Sequence, residues 1–265
     1  MPQFFLGLCL SSLIAWLAYQ QRLLTGDGAA GAVVMGTFTV TAGWGWGLVL
    51  IAFFVSSSAF SRIGEQRKSR AREQFDKGEQ RDLWQVLANG GVGTFLAVLY
   101  LLIEEKHLWL PYLASFATMN ADTWATEIGT MSRQIPRLIT DFRKVEPGTS
   151  GAVTVSGTLA SLIGAGFIGA VGGLLDPFSF DFFTLLVLVT LAGLMGSLCD
   201  SVLGATVQAL YWCDDQQKLT EKSICQNGAP AEHRKGFRWI NNDVVNFSAA
   251  LCGGGVGAVL VTLVL

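Results

Sequence analysis

Between residues 120 and 129 the chain reads Asn120-Ala121-Asp122-Thr123-Trp124-Ala125-Thr126-Glu127-Ile128-Gly129, which places two carboxylates, an amide and two hydroxyls close together. On a helix, Asn120, Thr123 and Glu127 share one face, and Asp122 with Thr126 forms a second polar stripe on a neighbouring face. Oxygen ligands of this kind suit a hard cation such as Mg2+, which keeps several of its waters. A second set lies at Ser197, Ser201, Gly204 and Gln208, with Asp200 beside it. Small residues also let helices approach closely, which accounts for the stripe but not for Asp200. Asp122, Glu127 and Asp200 are therefore candidate metal ligands, and Asn120 and Thr123 are candidate participants in the same chemistry.

Three further constellations could meet phosphates. Asn89-Gly90-Gly91 forms a glycine break early in an apolar segment. Glu146-Pro147-Gly148-Thr149-Ser150-Gly151 leads into another apolar segment, where Ser156-Gly157-Thr158 follow. Asn241-Asn242-Asp243 with Asn246 opens the last one. Backbone amides at helix starts, aided by the dipole, bind anions readily, and Gly148–Gly151 has the right chemistry. A plain turn followed by a helix N-cap explains the same residues.

These groups need elements to hold them, and composition indicates membrane helices. Of 265 residues, 51% are hydrophobic and only 14% charged, and the mean hydropathy is +0.45; soluble domains carry about a quarter charged residues. Apolar runs at 4–19, 28–42, 44–60, 83–103, 108–129, 151–173, 183–209 and 243–265 approach the roughly 20 residues a span requires. The second is short and glycine-rich, so full crossing stays open. The expectation is one all-α domain over 1–265, a polytopic transmembrane bundle of about seven to eight spans, with hydrophilic loops at 61–82, 130–149 and 213–239. The segment holding 120–129 must be central, because lipid on all sides would not tolerate two polar stripes.

Charge orients the bundle. Of 18 Lys and Arg residues, 17 fall in the three hydrophilic loops or at Arg22, and with eight spans these regions share one side; Lys106 alone falls opposite. The positive-inside rule then places the basic loops in the cytoplasm and both termini outside. No cleavable signal is expected in the first apolar run. Cys9, Cys199, Cys213, Cys225 and Cys252 form no CxxC pair and read as small fillers, implying neither a disulfide framework nor a zinc site. There is no P-loop. Gly164-Ala165-Gly166-Phe167-Ile168-Gly169 matches a dinucleotide fingerprint by letter only, inside an apolar span with no preceding strand. His107 and His233 fall on opposite sides, and nothing in the charge pattern suggests nucleic acid as a partner.

Taken in order, several stretches resemble one family. They are Gln80-Arg81-Asp82 with Gln85 to Gly91, the Asp122-Thr123-Trp124-Ala125-Thr126-Glu127-Ile128-Gly129 run, Pro147 to Gly151 with Ser156-Gly157-Thr158, Asp200-Ser201 through Gln208, and Asn242 to Asn246. The chain is similar, from about residue 25 onward, to the integral membrane family that includes the plant phytyl-phosphate kinases of tocopherol synthesis, itself similar to CTP-using phytol and dolichol kinases. The resemblance implies phosphorylation of an isoprenoid monophosphate to its diphosphate, with CTP as donor, in a bacterial inner membrane or a cyanobacterial or plastid membrane. In that setting Asp122, Glu127 and Asp200 would hold Mg2+ between the substrates. Gly148–Gly151, Asn89, Asn242 and Asn246 would position phosphates or the cytosine ring, and Gly90, Gly91, Ser156, Ser201, Gln208 and Asp243 would complete that binding surface. Arg62 and Lys68 of the first basic loop would offset charge. Broken glycine-rich helices with carboxylates suit an ion-coupled transporter or lipid-binding protein as well. Polar groups gathered at one membrane face favour the enzyme, and groups at the midplane favour the carrier.

Overall fold

The computed structural model describes residues 2–62, 80–215, 217–225 and 227–264. Its helices are α1 (Pro2–Gln20), α2 (Gly26–Ala42), α3 (Trp44–Arg62), α4 (Leu83–Ile103), α5 (Trp109–Met131), α6 (Val155–Leu174), α7 (Phe182–Thr206) and α8 (Asn242–Val264). Among the described residues six of them, α1, α3, α4, α6, α7 and α8, are long and apolar enough to cross a membrane. The chain is thus an all-α polytopic bundle, as composition predicts. At about 1.5 Å per residue the 17 residues of α2 rise about 26 Å, and they connect the same two ends of the bundle as their neighbours do.

The central position expected for the 120–129 helix is observed. α5 packs against α3, α4, α6, α7 and α8, and every residue from Trp109 to Ala121 is buried. Glycines on the surrounding helices make this approach possible; a Cβ on Gly196 or Gly253 would overlap Thr118. At one end the bundle is closed by aromatic side chains. Trp46 lies 4.5 Å between ring centroids from Tyr112 and 5.1 Å from Trp109, and Tyr100 and Phe178 pack around them. The Tyr112 hydroxyl donates to the Trp46 carbonyl, so the one polar atom of that ring is satisfied within the plug.

The opposite end carries the hydrophilic links. Two small sheets form there: β1 (Arg137–Leu138) with β2 (Ala152–Val153), and three strands in the order β4-β3-β5 from β3 (Leu210–Cys213), β4 (Lys218–Thr220) and β5 (Glu232–Lys235). The sequence reading expected a loop over 213–239 and a helix to residue 209. Instead α7 ends at Thr206, and the aromatic stretch Leu210-Tyr211-Trp212-Cys213 pairs on both sides as the central strand. That hairpin brings the Cα atoms of Cys213 and Cys225 within 5.7 Å, and a disulfide joins them. This corrects the reading of both as unpaired fillers, and the reason is a pairing between strands that spacing does not reveal.

The entry to α4 is fixed by a distant segment. Arg81 forms a bridge with Leu24, its N–H donates to the Leu23 carbonyl at 3.0 Å, and its carbonyl accepts from Thr25 at 3.1 Å. Asp82 then caps α4, accepting from the Gln85 N–H at 2.9 Å while the Gln85 side chain accepts from the Asp82 N–H at 3.2 Å.

Candidate functional site

A cavity of about 750 Å3 opens at the end that carries the links. α5 supplies Asp122, Thr123 and Glu127 to its wall, and α7 supplies Asp200 and Ser201. α4 contributes Asn89, and α8 contributes Asn242, Asp243 and Asn246. The Gly148–Gly151 loop closes one side, and Arg62 lies at the rim with Arg22. Most of the residues singled out from the sequence are therefore brought to one place from five helices and a loop. Arg62 is held there by bonds to the Gln21 carbonyl at 2.7 Å and the Gln21 amide oxygen at 3.3 Å. Lys68 and the basic residues Arg67, Arg70, Arg72 and Lys77 lie outside the described residues.

Others are placed elsewhere. Asn120 is fully buried behind the cavity wall. It accepts from Ser56 at 2.7 Å and donates to the Gly164 carbonyl at 2.8 Å, tying α3, α5 and α6 together. Gly90 faces Met35, and Gly91 has Phe247 nearby. Ser156 shares its hydroxyl with Thr154 at 3.2 Å, and its N–H donates to Gln134 at 3.2 Å, outside the lining. Gln208 sits behind the wall, accepting from Ser150 at 2.6 Å and donating to Glu221 at 2.7 Å. The Gly148–Gly151 stretch is not a helix start. β2 follows it, and the N-cap of α6 is Thr154, which accepts from the Gly157 N–H at 3.0 Å. The helix dipole therefore does not act on this loop, and its Thr149 N–H already donates to the Glu146 carbonyl at 3.2 Å.

The electrostatics are dominated by carboxylates in one polar space. Asp122 and Glu221 each place like charge beside Asp200. Asp200 Oδ2 is buried and has no hydrogen-bond partner among the described residues. A buried anionic oxygen without a donor is costly, and such an atom suits a cation. Thr123 and Ser201 donate their hydroxyl protons to the Met119 carbonyl at 2.8 Å and the Ser197 carbonyl at 3.3 Å, which leaves their lone pairs toward the site. Among the described residues the ligand atoms of Asp122, Glu127 and Asp200 do not gather within 4.8 Å of each other; the set that does is Cys213, Asp215 and Cys225, in the strand hairpin.

Sequence reasoning missed Arg81, Ser58, Ser161, Glu221 and Lys222, all of which line the cavity. From the sequence Arg81 is one loop cation among several and part of the Gln80-Arg81-Asp82 stretch, with no role of its own. Its guanidinium donates to Ser58 at 3.0 Å and Ser57 at 3.2 Å and lies 5.6 Å from the centre of the Phe54 ring. Burial draws it down to about 10, opposed by the negative charge of Glu127, so it stays cationic at neutral pH.

Depth can be read from helix rise. Asp200 is six residues from the end of α7, about 9 Å, and Asp122 nine from the end of α5, about 14 Å. α7 as a whole rises about 38 Å over 25 residues. The cavity thus occupies one end and stops short of the aromatic plug.

Fold and cavity together define a multi-pass integral membrane protein with a polar, carboxylate-lined cavity at one end of its bundle. Such a combination narrows the class without naming a reaction. The chain belongs to the family described as integral membrane protein DUF92, whose model matches residues 9–254. It is similar to Protein PGR of Arabidopsis thaliana, 36% identical over 94% of this chain and 94% of that one. An uncharacterized membrane protein of Methanocaldococcus jannaschii is 31% identical over 97% and 93% of the two chains. Protein VTE6, chloroplastic, of Arabidopsis thaliana is 28% identical, over 89% of this chain and 66% of that protein. No solved structure matches the chain.

Proposed function

We infer that this protein is a membrane-embedded kinase that converts an isoprenyl monophosphate to its diphosphate, using a nucleoside triphosphate, CTP by the family resemblance, and Mg2+. The observation that carries the reading is the gathering of Asp122, Glu127, Asp200 and the phosphate-compatible loop 148–151 in one cavity at the basic end of the bundle. Its volume, about 750 Å3, falls in the usual range for small-molecule sites. The positive-inside rule would make that end cytoplasmic, where nucleotides are found.

In this account a phosphate oxygen of the isoprenyl monophosphate attacks the terminal phosphorus of the nucleotide. The bond from that phosphorus to its bridging oxygen breaks, and the nucleoside diphosphate leaves with the electron pair. The acceptor is already anionic, so no strong general base is required. Asp122 and Asp200 would hold Mg2+, with Glu127 beside them, and the unpartnered Asp200 Oδ2 fits that role. The ion, when bound, neutralises charge on the transferring group. Asn242 and Asn246 of α8 orient polar edges of the substrates, and Arg62 and Lys222 at the mouth offset phosphate charge. The aromatic plug closes the far end of the bundle, beyond the cavity. A cavity open at one end and that plug at the other favour an enzyme over an ion-coupled carrier, which needs routes to both sides.

The test is to incubate purified protein with phytyl or geranylgeranyl monophosphate, Mg2+ and each nucleoside triphosphate in turn. Diphosphate formed with one of them, and abolished by chelation, is the expected result. No product with all four would overturn the reading.

A further inference from the structure

A second, apolar cleft of about 240 Å3 lies between α1, α2, α3 and α4. It shares Arg81 and Asn89 with the polar cavity, so the two adjoin at those side chains. From there it follows one stripe of α3, through Phe54, Ile51, Leu48 and Trp44, and opens on the surface at Trp44 and Leu48, which are 53% and 41% exposed. Leu24 and Met35 are among its other walls.

We propose that this cleft holds the isoprenyl chain of the substrate, with its phosphate held at the mouth by Arg81 and Asn89. The inference rests on the isoprenyl-phosphate reading above and adds where chain and head lie. Arg81 suits the head. Its backbone is locked to the α1–α2 link, two of its five donors are used by Ser57 and Ser58, and among the described residues no carboxylate forms an ion pair with it. The direction suits a lipid, since the chain would run from the edge of the polar cavity, past Phe54 at the middle of α3, toward the opposite end of the bundle where α3 begins at Trp44. The walls suit a hydrocarbon and not an ester-linked neck. The hydroxyls of Ser11 and Thr39, within the cleft, already donate to the Gly7 carbonyl at 2.7 Å and the Met35 carbonyl at 3.0 Å.

The stripe from Phe54 to Trp44 rises about 15 Å. An extended chain advances roughly 1.2 Å per bond, so about twelve bonds, or three isoprene units, lie along it. Affinity should therefore rise through the fifteen-carbon chain and flatten beyond it.

Binding of dimethylallyl, geranyl, farnesyl and geranylgeranyl monophosphates to the purified full chain, without nucleotide, tests this. The dissociation constant should fall by about tenfold or more from geranyl to farnesyl and then level off. Ile51→Trp should weaken farnesyl phosphate by about tenfold and leave the dimethylallyl compound unchanged. Arg81→Gln should weaken every length by a similar factor, with partial recovery in Arg81→Lys. A photoreactive farnesyl phosphate bound to the wild-type protein, which requires no variant to fold, should label α1 to α4. Labelling confined to α6, α7 or α8, length-independent affinity, or equal displacement by phosphatidate would overturn the proposal. Cleft binding without diphosphate formation would sink the kinase reading alone, whereas diphosphate formation with an unaffected Ile51→Trp variant would sink the cleft alone.

Discussion

The hydroxyl of Ser150 donates to Gln208 Oε1 over 2.6 Å, and Gln208 Nε2 passes the connection to Glu221 at 2.7 Å. One buried amide thus ties the 148–151 loop to the strand hairpin, and both line the cavity. Replacing Gln208 with Leu leaves Ser150 and Glu221 without that partner. Thermal unfolding in detergent should show a loss of about 1–3 kcal/mol. Turnover should fall further than the folded fraction does, because the loop loses its anchor.

Asp200 should behave in the opposite way. Asp122 and Glu221 place like charge beside it, and one of its oxygens has no donor among the described residues. Asp200→Asn removes that repulsion, so its melting temperature should equal or exceed the wild type. Phosphoryl transfer should drop by about a hundredfold or more, as it should in Asp122→Asn. Mg2+ should raise the melting temperature of the wild-type protein and have little effect on either variant.

Asn120 separates architecture from chemistry. It lies in the same ten-residue run as Asp122 and Glu127, yet its partners are Ser56 and the Gly164 carbonyl. Asn120→Leu should cost about 1–3 kcal/mol of stability. Activity per folded molecule, measured by normalising turnover to the folded fraction, should remain within a fewfold of wild type.

How far these roles were legible depended on the range of the interaction. The polar stripes of 120–129 required a buried helix, and α5 is enclosed by five others. The basic links were expected on one side, and the described ones line one end. Asn120 could not be separated from Asp122 by helical periodicity, because its position is decided by what α3 and α6 place opposite it. Arg81 looked like one loop cation among several; its burial follows from pairing with Leu24, a contact distant in sequence. Gly148–Gly151 looked like a helix start because glycine and hydroxyl residues precede an apolar run. Only the pairing of β2 with β1 shows the intervening strand.

That loop also yields a backbone prediction. Gly151 has φ +76°, and a Cβ there would collide with the backbone of Ala205 in α7. Gly151→Ala should destabilise the protein by about 1–3 kcal/mol, read from chemical or thermal unfolding. The same substitution at Gly26, which has open space around it, should be much milder.

The central claim is that the one-ended cavity transfers a phosphoryl group and does not conduct a solute. Proteoliposomes carrying the purified protein, farnesyl monophosphate, Mg2+ and CTP labelled at its terminal phosphate test it most directly, with ion flux followed in the same vesicles. The account predicts label in farnesyl diphosphate, lost in Asp122→Asn and Asp200→Asn, with no flux. Flux coupled to those carboxylates, with no label leaving the nucleotide, would contradict it.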